Sequence, residues 1–313
     1  MPEAQDVAAR LIDNIERVIV GKRRQITLVV AALLARGNVL IEDVPGTGKT
    51  MLARALARSS GLDYQRVQCT PDLLPSDITG TQIFNPQTSE FEFRRGPIFT
   101  GVLLADEVNR ATPRTQSALL EAMQERQVTS AGSTIPLPDP FLVVATQNPV
   151  EFEGTFPLPE AQLDRFLVRV ELGYPTEREE AEMLERLDGG HPIDALAAVV
   201  DSAGLLGALD GVTKVHVSEA VRSYVIRLVR ASRNDSATEL GVSPRGSIAL
   251  QRVGQALAAI EGRDFVRPDD IKRAAGPVMA HRLVVTADSR LRGHVGRTVV
   301  ERIVDTVTVD EDL

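Results

Sequence analysis

The sequence predicts a parallel α/β sheet followed by an all-helical domain, and three observations carry that reading. Short apolar runs alternate with helical stretches between residues 38 and 172. A glycine-rich turn, "PGTGKT" (45–50), joins the first apolar run to a helix. After Gly173-Tyr174-Pro175 the strand pattern stops and helical periodicity continues alone. Two domains are expected, residues 1–174 and 175–313.

The elements follow in order. The first 36 residues read as helical, broken near Gly21, with Val7, Leu11, Ile15 and Val18 on one face. Five candidate strands come next: "NVLIE" (38–42), "YQRVQC" (64–69), "GVLLAD" (101–106), "FLVVAT" (141–146) and "FLVRVEL" (166–172). The first, third and fourth are continuous apolar runs, as strands buried on both faces require. A helix from Lys49 to Ser60 follows the turn, and another spans Pro113 to Glu125, with Thr112 as N-cap and Pro113 in its first turn. Two segments read as inserted β-hairpins: 79–95 around Asn85-Pro86, and 126–137 around Ala131-Gly132. "TERE" (176–179) is a capping box opening the helical part. Helices are expected at 219–232, 244–261 and 268–275, with Leu228, Val253, Leu257 and Ile260 facing a core.

Composition narrows the partners. The 313 residues carry 35 Lys+Arg against 43 Asp+Glu, a net charge of −8, with no basic run. Binding to nucleic-acid phosphates needs a concentrated basic surface, so nucleic acid is disfavoured. No apolar run reaches the ~20 residues that cross a bilayer, and the start "MPEAQDVAAR" is too polar for a secretory signal. One cysteine, Cys69, excludes an internal disulfide, and four scattered histidines offer no zinc spacing. A cytoplasmic protein without membrane insertion is expected.

Chemistry concentrates at strand ends. Pro45, Gly46, Thr47, Gly48, Lys49, Thr50 and Met51 lie between a strand and a helix, where backbone N–H groups wrap a phosphate. Lys49 would reach the β/γ-phosphates and Thr50 would hold magnesium. The full pattern G-x-x-x-x-G-K-[ST] asks for glycine where this chain has Asp43. Asp43 is read as lying at the base of the loop, pointing away from the phosphates. Its replacement by asparagine is then expected to tighten nucleotide binding by less than about tenfold. "GVLLADE" ends in Asp106 and Glu107, one carboxylate for magnesium and one for the attacking water. In "ATQNP", Asn148 either orients that water or starts an Asn-Pro turn. In "AQLDRF", Arg165 is either a surface partner of Asp164 or a functional cation. In "SPRGS", Ser243 caps a helix whose first turn holds Arg245, a cation that opposes the helix dipole and so serves something anionic.

In this order the phosphate loop, "LLADE", "ATQNP", "AQLDRF" and "SPRGS", with two inserted hairpins, resemble the MoxR family of AAA+ ATPases over almost the whole chain. The resemblance implies a five-stranded αβα nucleotide core followed by a helical lid. It implies ATP and Mg2+ as ligands, with Lys49 and Thr50 as the Walker A pair and Asp106 and Glu107 as the Walker B pair. By the same resemblance Asn148 is sensor 1, Arg245 sensor 2 and Arg165 the arginine finger, while the backbone of Val20 and Gly21 frames adenine. A finger serves a neighbour's nucleotide, so a homo-oligomeric ring, a hexamer, is implied. The family resembles chaperones acting on a client protein with a von Willebrand factor A domain partner. Two alternatives stay open on sequence: a nucleic-acid-dependent motor, and a nucleotide-sensing scaffold that barely hydrolyses.

Overall fold

The computed structural model describes residues 2–130, 132–149 and 154–309. Its centre is a parallel sheet of β1 (Val39–Glu42), β2 (Tyr64–Gln68), β5 (Val102–Asp106), β8 (Leu142–Gln147) and β9 (Val168–Val170), in the order β2-β5-β8-β1-β9. Two antiparallel hairpins stand outside it. They are β3 (Gly80–Asn85) with β4 (Glu90–Arg95), and β6 (Gln127–Ser130) with β7 (Ser133–Pro136). Both were expected, although Ala131 at the second tip lies outside the described residues.

Side chains of successive strand residues point to opposite faces, and that alternation splits the core in two. Val39, Ile41, Val102, Leu104, Leu142 and Val144 face one cluster. Leu40, Leu103, Ala105, Val143 and Ala145 face the other. The second cluster is closed by α5 (Pro113–Glu125) and by Ile78 of the short α4 (Pro75–Thr79). The first is closed by α1 (Pro2–Glu16), α2 (Arg23–Leu34) and α3 (Lys49–Ser60). Val7, Leu11 and Ile15 are buried, and Val18 is partly buried in the turn before Gly21.

After a short α6 (Glu160–Leu163) and β9, the chain continues through α7 (Glu177–Leu187), α8 (Ser202–Thr213), α9 (Glu219–Asn234), α10 (Pro244–Ile260) and α11 (Pro268–Met279). Then come α12 (Ala287–Leu291) and α13 (Gly296–Thr306). Thr176 and Glu179 form the expected capping box at α7. This helical region also holds a small ribbon, β10 (Thr238–Leu240) with β11 (Val284–Val285). The first cluster runs on through α8, α9, α10, α11 and α13, so α1 and α2 are packed between the sheet and these helices.

A cation from the helical region grips the sheet region. Arg282, buried just after α11, donates its Nε to Asp164 Oδ1 at 2.7 Å. Its other nitrogens donate to the carbonyls of Asp164, Phe166, Leu167 and Val278. Beside it, His281 is buried, and burial together with the Arg282 charge holds its imidazole well below the usual histidine range. An unfolded chain takes up that proton near pH 6.5 while the folded one does not, so this contribution is present above pH 6.5 and is lost as pH falls. One proton corresponds to a slope of at most about 1.4 kcal/mol per pH unit. Urea midpoints measured from pH 7.5 to 5.5 should fall, and His281→Gln should flatten that fall.

Candidate nucleotide site

Parallel strands open a crevice at their carboxyl ends, and the motif residues come from the ends of β1, β5 and β8. Gly46 and Gly48 have φ of 82° and 90°, a left-handed backbone that side chains resist. They turn the loop so that α3 begins at Lys49. A cleft of ≈ 370 Å³ is lined by Pro45 to Met51, Asp106, Glu107, Thr146, Gln147 and Asn148. Lys49 Nζ donates to the carbonyls of Asp43 at 2.8 Å and Val44 at 2.7 Å, which stations the ammonium at the loop. Asn148, just past β8, is buried and lines the same cleft as Asp106 and Glu107.

The two carboxylates are held differently. Asp106 is buried; it accepts from Thr146 Oγ1 at 2.6 Å and from Arg66 Nη2 at 2.7 Å. Glu107 is half-exposed and has φ of 56°, a strained conformation of the sort found where a side chain must be aimed. Its carboxylate accepts from Gln68 Nε2 at 2.9 Å and pairs with Arg110 at 3.2 Å. Arg66, Gln68 and Arg110 escape sequence reading. The first two belong to β2, and only the register Arg66↔Leu104 and Gln68↔Asp106 brings them here. Cys69, next in the chain, is buried; desolvation, with Asp106 and Glu107 nearby, pushes its thiol up to about 12.

Thr50 and Asp106 line the cleft together. One hydroxyl and one carboxylate suit a hard cation that keeps waters and shares phosphate oxygens, as magnesium does. Among the described residues there is no cluster of three or more His, Cys, Asp or Glu that would hold a metal without such help.

Asp43 needs correction. Its carboxylate does turn away from the cleft, but it is no idle substitution. Buried, it accepts the N–H groups of Val44 at 2.8 Å, Leu172 at 2.8 Å and Gly173 at 2.7 Å. It therefore ties the base of the phosphate loop to the exit of β9. An amide in its place presents an NH2 to at least one of these donors, and an orphaned buried donor costs about 1–3 kcal/mol. Asp43→Asn should weaken nucleotide binding rather than tighten it, by about 5- to 150-fold where that whole cost falls on the nucleotide-bound loop. A fluorescent-nucleotide titration at fixed magnesium and salt reads the sign directly.

The remaining expected residues lie elsewhere. Ile19 packs near Gly48, while Val20 is buried and Gly21 sits against Glu179 of α7, beside the loop rather than in the cleft. Arg165 and Arg245 share a different cleft, ≈ 690 Å³, with Arg36, Arg126 and Arg252. Arg165 donates to the carbonyl of Leu120 at 3.0 Å and is not the partner of Asp164, which takes Arg282, Ser243 Oγ and, at 3.8 Å, Arg245 instead. Ser243 thus stands at the N-cap of α10 but spends its hydroxyl on Asp164.

The comparisons match this geometry. The profile of the ATPase family associated with various cellular activities (AAA) fits residues 38–168, and the AAA lid domain profile fits 230–303. Chaperone MoxR1 of Mycobacterium tuberculosis is 41% identical, with 96% of this chain and 82% of that protein aligned. The chain belongs to the MoxR family of AAA+ ATPases. Protein MoxR of Paracoccus denitrificans is 36% identical over 86% of each chain, and YeaC of Bacillus subtilis is 49% identical over 96% of this chain and 94% of its own. A crystal structure of a Cytophaga hutchinsonii protein, 38% identical, superposes with a TM-score of 0.91 over 99% of this chain and 98% of that one. For this MoxR-family chain the AAA+ core and helical lid are thereby the fold. Among the described residues, no helix is long and apolar enough to cross a membrane.

Proposed function

We propose that this MoxR-family chain hydrolyses ATP with magnesium in a cytoplasmic homo-oligomeric ring, a hexamer, and uses the cycle to remodel or mature a client protein. A von Willebrand factor A domain protein is the partner in this reading. One observation carries the ring. Lys49, Asp106, Glu107 and Asn148 share one cleft while Arg165 and Arg245 share another, so one copy's own cleft lacks the two arginines assigned to the transition state. A second copy would supply both, and Arg245 then serves its neighbour's nucleotide rather than its own.

Each residue has a defined task. Lys49 leaves the loop carbonyls and meets the β/γ-phosphates. Glu107, released from Gln68, takes the proton of a water aimed in line at the γ-phosphorus, and Asn148 orients that water. Thr50 and Asp106 would hold magnesium, which neutralises charge on the phosphate oxygens when bound. The client contact is assigned to the first hairpin, where Phe84 and Phe91 stack edge-to-face at 5.3 Å, with Phe91 67% exposed. Nucleic acid is not part of this reading, since the chain is acidic.

Two substitutions test it. Glu107→Gln should keep ATP affinity within about threefold and lose at least about 100-fold in turnover. Lys49→Ala should weaken binding itself. Equal loss of affinity in both would remove Glu107 from the water-activating role.

A further inference from the structure

We propose that the outer face of α7 docks on the outer face of α10 in a second copy of this chain, seating that copy's Arg165 and Arg245 at the first copy's nucleotide cleft. The inference rests on the ring reading and specifies its interface.

α7 is poorly covered: none of its 11 residues is buried. Its inner face is held by Arg186, which donates to the carbonyls of Glu16 at 2.6 Å and Arg17 at 2.8 Å, and by Glu179, 3.4 Å from Lys22. Away from those anchors a stripe runs through Glu177, Glu180, Leu184 and Leu187, at i, i+3, i+7 and i+10, with Met183 alongside. Leu184 is 65% exposed, and Leu187 and Met183 are exposed as well. Three neighbouring apolar side chains in water, Met183, Leu184 and Leu187, rather than a single one, mark a contact surface.

α10 carries the complement. Arg245, Ile248 and Arg252 stand at i, i+3 and i+7, all exposed, with Ile248 at 56%. The two faces oppose in charge and each carries apolar surface: Glu177 and Glu180 precede Leu184 and Leu187 on α7, while Arg252 and Ile248 offer a cation and an apolar contact on α10, with Arg245 left to reach the nucleotide. Their positions suit the chemistry. α7 starts over Gly21, in the segment whose Ile19 packs near Gly48, so it flanks the phosphate loop. The α10 stripe borders the cleft that holds Arg165. Since the stripes lie on different helices, the contact is head-to-tail, the kind that closes rings rather than two-fold dimers.

The test is sedimentation velocity of the full chain with magnesium and ATPγS, beside a fluorescent-nucleotide titration of each variant. Leu184→Asp with Leu187→Asp should weaken self-association by at least about 100-fold and leave nucleotide affinity of the separated chain within about threefold. The positions are exposed, so melting temperatures should match the parent's. Glu180→Arg and Arg252→Glu should each weaken assembly, and together in one chain they should restore it. Assembly undiminished by the leucine substitutions, or a double charge reversal no better than the worse single, overturns this interface and leaves the ring reading standing. A parent chain that binds ATPγS yet stays monomeric overturns both.

Discussion

Replacing Arg165 by alanine should lower the ATPase rate by about 10³- to 10⁵-fold, the range measured for arginine fingers. The guanidinium is only partly satisfied within its own chain: it donates to Leu120 and otherwise lines a cleft shared with Arg245. Its absence from the Lys49 cleft is the reason the effect should be felt in trans. Mixed with Lys49→Ala chains, which keep an intact Arg165, the inactive variant should regain part of its turnover, because its own loop still binds ATP. The measurement is steady-state phosphate release across mixing ratios. If mixed assemblies form and no activity returns, Arg165 supports its own chain's structure and the finger assignment fails.

The largest loss of stability should come from Arg282. Its side chain is 2% exposed, and it pairs with Asp164 while donating to the carbonyls of Asp164 and Leu167 on the sheet side and of Val278 on the helical side. Burial lowers its affinity for its proton, and Asp164 offsets that. Removing Arg282 takes from Asp164 its shortest ion pair, leaving Ser243 and Arg245, and strips the buried carbonyls of Phe166, Leu167 and Val278 of their donor, at about 3–5 kcal/mol. Arg282→Met should therefore lower the free energy of unfolding by that amount in a urea titration. Asp164→Asn in the Arg282→Met background should cost less than the two singles added, since the same interaction cannot be lost twice. Additive losses would show the pair to be uncoupled. The segment 164–167 includes Arg165, so the clamp also fixes the direction of the proposed finger.

What the sequence made legible was local. β1, β5 and β8 are unbroken apolar runs because both their faces are buried, and the phosphate loop and Asp106-Glu107 are contiguous motifs. Among helices, α8 was missed: "SAGLLGALDGVT" carries three glycines, which weaken helical propensity, and it is held by packing on α1 and α10. The β10–β11 ribbon was missed since its strands lie on either side of α10 and α11 and are three and two residues long. At the site, what failed was non-local. The partners of Asp43 are backbone N–H groups 129 and 130 residues away, with no side-chain signature to read. Arg245 fitted a motif, but a motif carries no information on which cleft its side chain lines.

The burial of Cys69 has a practical side. Its thiol is buried and pushed up to about 12, so the thiolate that reacts is scarce at neutral pH. Cys69 should therefore react with a maleimide far more slowly than an exposed cysteine. One cysteine placed on an exposed turn of a helix then becomes a unique handle, with no need to alter the native residue beside Asp106 and Glu107. A single dye-bearing copy diluted into unlabelled chains would report on the proposed ring one assembly at a time.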